Sequence, residues 1–431
     1  MSKMNDYIQQ ETITGIVPMT NKDRQYSFWD LFLSTSGFAI ATWCYTQGAY
    51  VAQYLTFNQM LINIFSFNII WVFIECLPIL FAVKYGIDLW IWLRAVLGKR
   101  GVALLSTIIS LANFGWYAVA ANLFASSMIH LANNFGLGLD KGVWAPILGT
   151  LCVLLGTLIA LGGPEVIKWT NRFLVIALLI VGLIIVGICF VAVPITDIMN
   201  IQPATQGDLT PLERFMLSGE GNVAFAFSWS TQALVLPRLA KSERSGYWAT
   251  ALSYGVVAPF FVATGGVMAL AMFVKTGVYE SDPTTMLSTL STPAFALLSL
   301  LTIWGGVEEY FGSFISLAAY TQGPIIGMIV VDYFILRKRK LDLRSAYFLE
   351  GHDAYEFTKG FNLVGLSCVF ISLLVAVLFV YNPVTAQIQS PIFLITTGSG
   401  FTALFGGLLY WLASLSPLKR YMIKDRDTVT I

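Results

Sequence analysis

Long apolar tracts recur along this whole sequence, over residues 28–52, 58–83, 102–132, 143–162, 173–197, 218–237, 247–274, 291–304, 307–336, 362–381 and 391–414. No single water-soluble core buries that much apolar surface. Hydrophobic residues make up 57% of the 431, charged residues only 11%, and mean hydropathy is +0.73. A hydrocarbon layer of about 30 Å takes about 20 residues per helical crossing, so most of the tracts are long enough to span it. They are continuously apolar rather than alternating, which points to helices and not to a barrel. The sequence therefore predicts an all-α polytopic membrane protein in a lipid bilayer.

The first 26 residues are polar, without a basic stretch leading into a short apolar run, and read as a tail rather than a signal peptide. The first tract then serves as its own insertion signal. Basic residues set the orientation: Lys84, Arg94, Lys99, Arg100, Lys168, Arg172, Arg238, Lys241, Arg244, the run 337–344, and Lys419, Arg420 and Lys424. These segments are expected on the cytoplasmic side, with both termini, and 277–286 outside. Net charge is +1 and no basic aromatic patch suits nucleic acid. Cys44, Cys76, Cys152, Cys189 and Cys368 lie in apolar tracts without metal-ligand or disulfide spacing, and His130 and His352 stand far apart, so no metal, cofactor or catalytic constellation is expected. Nothing in the sequence sets an oligomeric state.

Residues 302–312, TIWGGVEEYFG, create a topological problem. The 46 residues from 291 to 336 begin outside and end inside, yet are too few for three crossings. A descending half at 291–304, a break at Gly305 and Gly306, a return at 307–318 and one span from about 319 to 336 resolve it; one long tilted crossing is the alternative.

Three stretches carry a family resemblance: KYGIDLWIWLRAVLGKRG (84–101), GWYAVA (115–120) and, most specifically, TQGPIIGMIVVDYFILRKRKLDL (321–343). They resemble the second cytoplasmic connection, third-helix motif and tenth-helix exit of the nucleobase:cation symporter-1 family, the cytosine, allantoin and hydantoin permeases. The resemblance spans residues 25 to about 345; beyond that the chain matches only as two further spans. It implies a LeuT-like inverted repeat of five plus five helices with two trailing helices, in about 10–12 membrane segments. Its organisation is then a cytoplasmic tail (1–26), a transporter core (27–345), two trailing helices (346–414) and a second tail (415–431). The family carries twelve spans, so this chain is shortened around helices eight and nine by two crossings, about 40 residues.

The resemblance also implies a midplane pocket. Trp116 offers a flat indole for a planar heterocycle to stack on, where a packed interface tryptophan is the plainer alternative. Phe38 matches the family's first-helix break and supplies an aromatic wall and a carbonyl. Phe225, Ser228 and Gln232 lie at helical spacings in the sixth helix, and Trp304 is counted with the substrate residues. Where family members carry a glutamine or glycine one turn after Trp116, this chain has Ala120. For the coupling cation the candidates are Ser34, Phe38, Thr302, Glu308 and Glu309. Thr302 alone keeps a side-chain oxygen among the eighth-helix positions, which weakens a sodium site and favours a proton on a membrane carboxylate. Glu308 and Glu309 sit about 100° apart on a helix and cannot face one cavity together; the plainer alternative puts them at a solvated rim. Glu75 is a further isolated carboxylate, either proton site or structural partner.

The expectation is thus a secondary transporter of the plasma membrane, not an enzyme, importing a nucleobase or similar planar N-heterocycle by proton, or less readily sodium, symport. Alternatives are a vitamin-precursor permease for hydroxymethylpyrimidine or thiamine, an amine or amino-acid permease of the same fold, or a transport-inactive membrane sensor.

Overall fold

The computed structural model describes residues 17–40, 43–203, 209–290, 311–348 and 354–422. Its first helix, α1 (Phe28–Ala39), starts at a capping box in which Ser27 Oγ accepts from Asp30 N (3.3 Å) and the Asp30 carboxylate accepts from Ser27 N (3.1 Å). The chain resumes as α2 (Trp43–Tyr54). Helices α3 (Phe57–Glu75) and α4 (Ile79–Tyr85) make one crossing bent at Cys76–Pro78, where proline has no N–H to continue the ladder. A short α5 (Leu89–Leu97) leads into α6 (Lys99–Asn134), followed by α7 (Lys141–Leu161) and α8 (Gly163–Ala192).

The second half repeats the device of a broken helix. Thr210, Pro211 and Glu213 build the start of α9 (Pro211–Phe227), with Thr210 Oγ1 and the Glu213 carboxylate capping reciprocally. The helix stops at Phe227 and continues as α10 (Ser230–Ala233). Helices α11 (Glu243–Leu252) and α12 (Ala258–Thr276) are joined through a π-turn, Ser253–Val257, into one crossing. After α13 (Pro283–Leu290) come α14 (Phe311–Val330), which ends in a second π-turn at Val331–Leu336, then α15 (Leu363–Phe379) and α16 (Gly398–Leu415). Among the described residues seven helical stretches are long and apolar enough to cross a membrane, and α15 is a shorter apolar helix. The strands among them, Tyr381–Asn382 and Gln387–Ile388, form one small hairpin.

Two helix pairs pack most extensively, α2 with α12 and α14 with α16. Both use glycine to bring backbones together: a Cβ on Gly48 would overlap Val262 O of α12, and one on Gly327 would overlap Ala403 O of α16. Between membrane helices, where water does not drive association, such close approach supplies the dispersion contact.

The expected half-helix 291–304 and the Gly305–Gly306 break lie outside the described residues. The expected return over 307–318 does not end where the sequence suggested. From Phe311 the chain is one continuous helix through 319 to Val330, because 313–320 (SFISLAAY) holds neither glycine nor proline to interrupt it.

The basic segments gather at one end. Lys84 Nζ donates to Arg339 O (2.8 Å), Arg94 Nη1 to Ala346 O (2.9 Å), and Arg238 lies 3.6 Å from the Asp88 carboxylate. Beneath them is a buried ion pair. Arg337 Nε donates to both Asp332 oxygens (2.9 and 3.1 Å), while Trp92 Nε1 (3.0 Å) and Tyr410 Oη (3.2 Å) donate to the same carboxylate. The VDYFILR part of the 321–343 motif is therefore a satisfied buried charge pair fastening the end of α14 to α5 and α16.

Candidate functional site

Two interrupted helices define the centre of the molecule. The first break follows Ala39: Ile40 is extended (φ −85°, ψ 112°), residues 41–42 lie outside the described set, and Trp43 opens α2. The second falls at Ser228 and Trp229, between α9 and α10. An interruption frees backbone groups that hydrocarbon cannot satisfy, so protein must. Gln322 of α14 does this at the second break. Its Nε2 donates to Ser228 O (2.7 Å), and its Oε1 accepts from Thr231 N and Thr231 Oγ1 (3.0 Å each).

Aromatic rings from four elements meet at these breaks. Trp43 and Trp229, one at each break, stack at 5.1 Å between centroids and 24° between planes. Trp116 of α6 lies against both, at 4.8 Å and 4.7 Å, and also against Phe314 of α14 at 5.0 Å. Gly115 makes the last contact possible, since a Cβ there would come within 2.9 Å of the Phe314 ring. Trp229 Nε1 is buried without a hydrogen-bond partner, a donor aimed into an apolar centre. Next to the cluster an open groove of about 370 Å³ follows one face of α6, lined by Val102, Ser106, Ser110 and Asn113 together with Trp90, Thr231 and Val235. Asn113 stands three residues before Trp116, on the same helical face.

Polar contacts surround this centre. Thr35 Oγ1 and Ser36 Oγ of α1 lie 2.7 and 3.0 Å from Ser253 Oγ, in the π-turn before α12. Glu220 of α9 accepts from Ser399 N and Ser399 Oγ (2.8 Å each) at the start of α16, where a helix N-terminus favours a carboxylate. Asn222 Nδ2 donates to Asn63 Oδ1 (2.8 Å), and Asn63 Nδ2 to Phe215 O (2.7 Å), tying α3 to α9.

Among the residues singled out from sequence, Trp116 lies in the ring cluster and Ser228 at the second break. Phe225 is buried one turn away without a ring contact to the cluster. Phe38 is 43% exposed, two residues before the break it was expected to wall. Ser34 is fully buried, its hydroxyl without a partner and its carbonyl 3.4 Å from Asn171 Nδ2. Gln232 belongs to α10, and its side chain is outside the described residues, as are Thr302, Trp304, Glu308 and Glu309 altogether. Sequence reasoning did not single out Trp43, Phe314, Gln322 or Glu220 as site residues. Trp43 directly follows a small-residue stretch, and Glu220 is a lone carboxylate between two glycines (SGEGN); both were legible signals.

Comparison with known proteins follows the same lines. Residues 301–402 match the family of permeases for cytosine/purines, uracil, thiamine and allantoin. The allantoin permease of Bacillus subtilis is 33% identical over 92 residues, 21% of this chain and 18% of that protein. The hydantoin permease of Microbacterium maritypicum is 30% identical over 83 residues, 19% of this chain and 17% of that protein. Two solved structures share the fold at 16% identity. One is Mhp1, a nucleobase-cation-symport-1 family transporter, in a closed conformation with bromovinylhydantoin bound (TM-score 0.68, 96% of this chain, 98% of that one). The other is the inward-facing conformation of Mhp1 (0.70, 96% and 95%). Over residues 301–402 the chain is thus similar to the permeases of this family, and over nearly its whole length it shares the Mhp1 fold. Its fold is the LeuT-like, all-α one that the resemblance implied. The aligned sequence spans less than a fifth of the length of these permeases. The family match takes in residues 346–402, beyond the stretch where the motifs alone carried the resemblance.

Proposed function

We propose that this chain is a member of the nucleobase-cation-symport-1 family and a secondary transporter importing a nucleobase or similar planar N-heterocycle, with a proton, or less readily sodium, as the coupling ion. The observation that carries this reading is the meeting of Trp43, Trp116 and Trp229 at both helix breaks, beside an open groove lined by Ser106, Ser110, Asn113 and Thr231. Flat rings stack on a flat ligand, and hydroxyls with one amide read its polar edge. One turn after Trp116, where the family resemblance implies a glutamine or glycine, this chain has Ala120, and Asn113 offers an amide on the turn before. In an alternating-access cycle the ligand separates the stacked indoles on entry and leaves along the polar face of α6. The clustering of Lys84, Arg94, Arg238 and Arg339 supports a cytoplasmic position for that end, in keeping with a plasma-membrane transporter whose termini lie inside.

The test is uptake by purified protein in liposomes. A panel of nucleobases, hydantoins, pyrimidines and amines is first screened by tryptophan-fluorescence quenching, and each hit is assayed with proton and sodium gradients. Saturable uptake of a planar N-heterocycle under one gradient is the expected result. Quenching without uptake would identify a sensor instead.

A further inference from the structure

Glu75 closes α3 in the interior of the protein. It is 2% exposed, and neither carboxyl oxygen has a hydrogen-bond partner. Ser230, the first residue of α10 after the second break, lies within electrostatic reach but commits its hydroxyl to Phe227 O at 2.6 Å. The titratable groups facing it are Cys76 beside it in the chain and Tyr254 in the Ser253–Val257 turn. Tyr247 of α11 lies one step further, against Cys76, its hydroxyl donating to Phe73 O at 3.0 Å. No basic side chain among the described residues acts on Glu75.

Three features disfavour an ionised carboxylate here: the nearby Ser230 hydroxyl is committed to Phe227 O, the surroundings are apolar, and Glu75 stands at the carbonyl end of α3. The neutral acid is the form that this arrangement accommodates. A membrane carboxyl that is buried and unpaired, beside a helix break, is placed to be charged in one conformation and neutral in another. Movement of α10 against α3 would change its access to water and to the Ser230 hydroxyl.

We infer that Glu75 binds the coupling proton, taking it up in the conformation described here and releasing it when α10 shifts and water reaches the carboxyl. The inference rests on the proposed transport reading and deepens it by assigning the ion site to α3.

Two measurements test it on the whole protein in liposomes. Infrared spectroscopy at neutral pH should show the C=O band of a protonated carboxylic acid that disappears in Glu75→Gln. This readout needs no substrate, so it stands apart from any failure of the transport reading. Glu75→Gln keeps the side chain's shape and a neutral head. It should therefore retain exchange of an identified ligand across the membrane while losing accumulation driven by a pH gradient. A wild-type spectrum without that protonated band, or pH-driven accumulation by Glu75→Gln equal to wild type, overturns the assignment.

Discussion

Gln322 on α14 holds Thr231 across the second helix break, accepting its backbone N–H and its hydroxyl at 3.0 Å each while donating to Ser228 O at 2.7 Å. One amide thus satisfies both sides of an interruption that lipid could not tolerate. Gln322→Leu removes three buried hydrogen bonds, at about 0.5–1.5 kcal/mol for each. The expected result is a lower unfolding temperature in detergent together with weaker ligand binding. Gln322→Glu keeps the acceptor and loses the donor, and should fall between. An unfolding temperature for Gln322→Leu equal to wild type would show that the break is held otherwise.

Trp116 touches three rings among the described residues, so two effects must be separated. Trp116→Ala removes a buried side chain, and large-to-small changes of this kind cost about 3–5 kcal/mol of stability. Trp116→Phe keeps a ring and most of the packing, but loses the wide indole face. Its folding should be near wild type, with ligand affinity reduced about tenfold, the equivalent of about 1.4 kcal/mol. Quenching titrations against a folded control measure this. Unchanged affinity in Trp116→Phe and saturable uptake by Trp116→Ala would remove the residue from the site.

The Asp332–Arg337 pair is buried on both sides, and the carboxylate also accepts from Trp92 and Tyr410. Removing one partner strands a charge and is expected to destabilise by about 3–5 kcal/mol. The double substitution Asp332→Leu, Arg337→Met should cost less than the two single changes summed, because it leaves no unpaired charge. Thermal unfolding of the four proteins gives the cycle. Additive losses would mean that the two residues stabilise independently.

What the sequence disclosed follows the range of each interaction. Apolar tract length alone marks the long helices, and Trp116 stands out because GWY is a local motif. The partners of these residues are not local. Glu220 meets Ser399, 179 positions away, and Thr231 meets Gln322, 91 positions away, so no spacing pattern announces either contact. Phe38 failed to reach the cluster for a related reason. Its position near a break was readable, but the rotation of the last turn of α1, which leaves it 43% exposed, is set by packing against distant helices. Trp43, on the other side of the same break, takes the place next to Trp116.

Asn113 carries the specificity argument. It lies on the same face of α6 as Trp116 and lines the open groove with Ser106, Ser110 and Thr231. An amide matches the donor and acceptor edge of a lactam-like heterocycle, and a site built to pair such an edge rejects ligands that lack it. Asn113→Ala should weaken binding of a lactam-bearing ligand about tenfold, by removing roughly 1–1.5 kcal/mol of hydrogen bonding. It should leave a purely aromatic analogue of the same size unaffected, since stacking on Trp116 persists. Asn113→Asp keeps the acceptor and replaces the donor with charge, so it should favour a cationic analogue over a neutral one. Competition binding with the three ligands on each variant decides the point. Equal losses for the lactam and its aromatic analogue would make Asn113 a packing residue, with the polar edge read elsewhere.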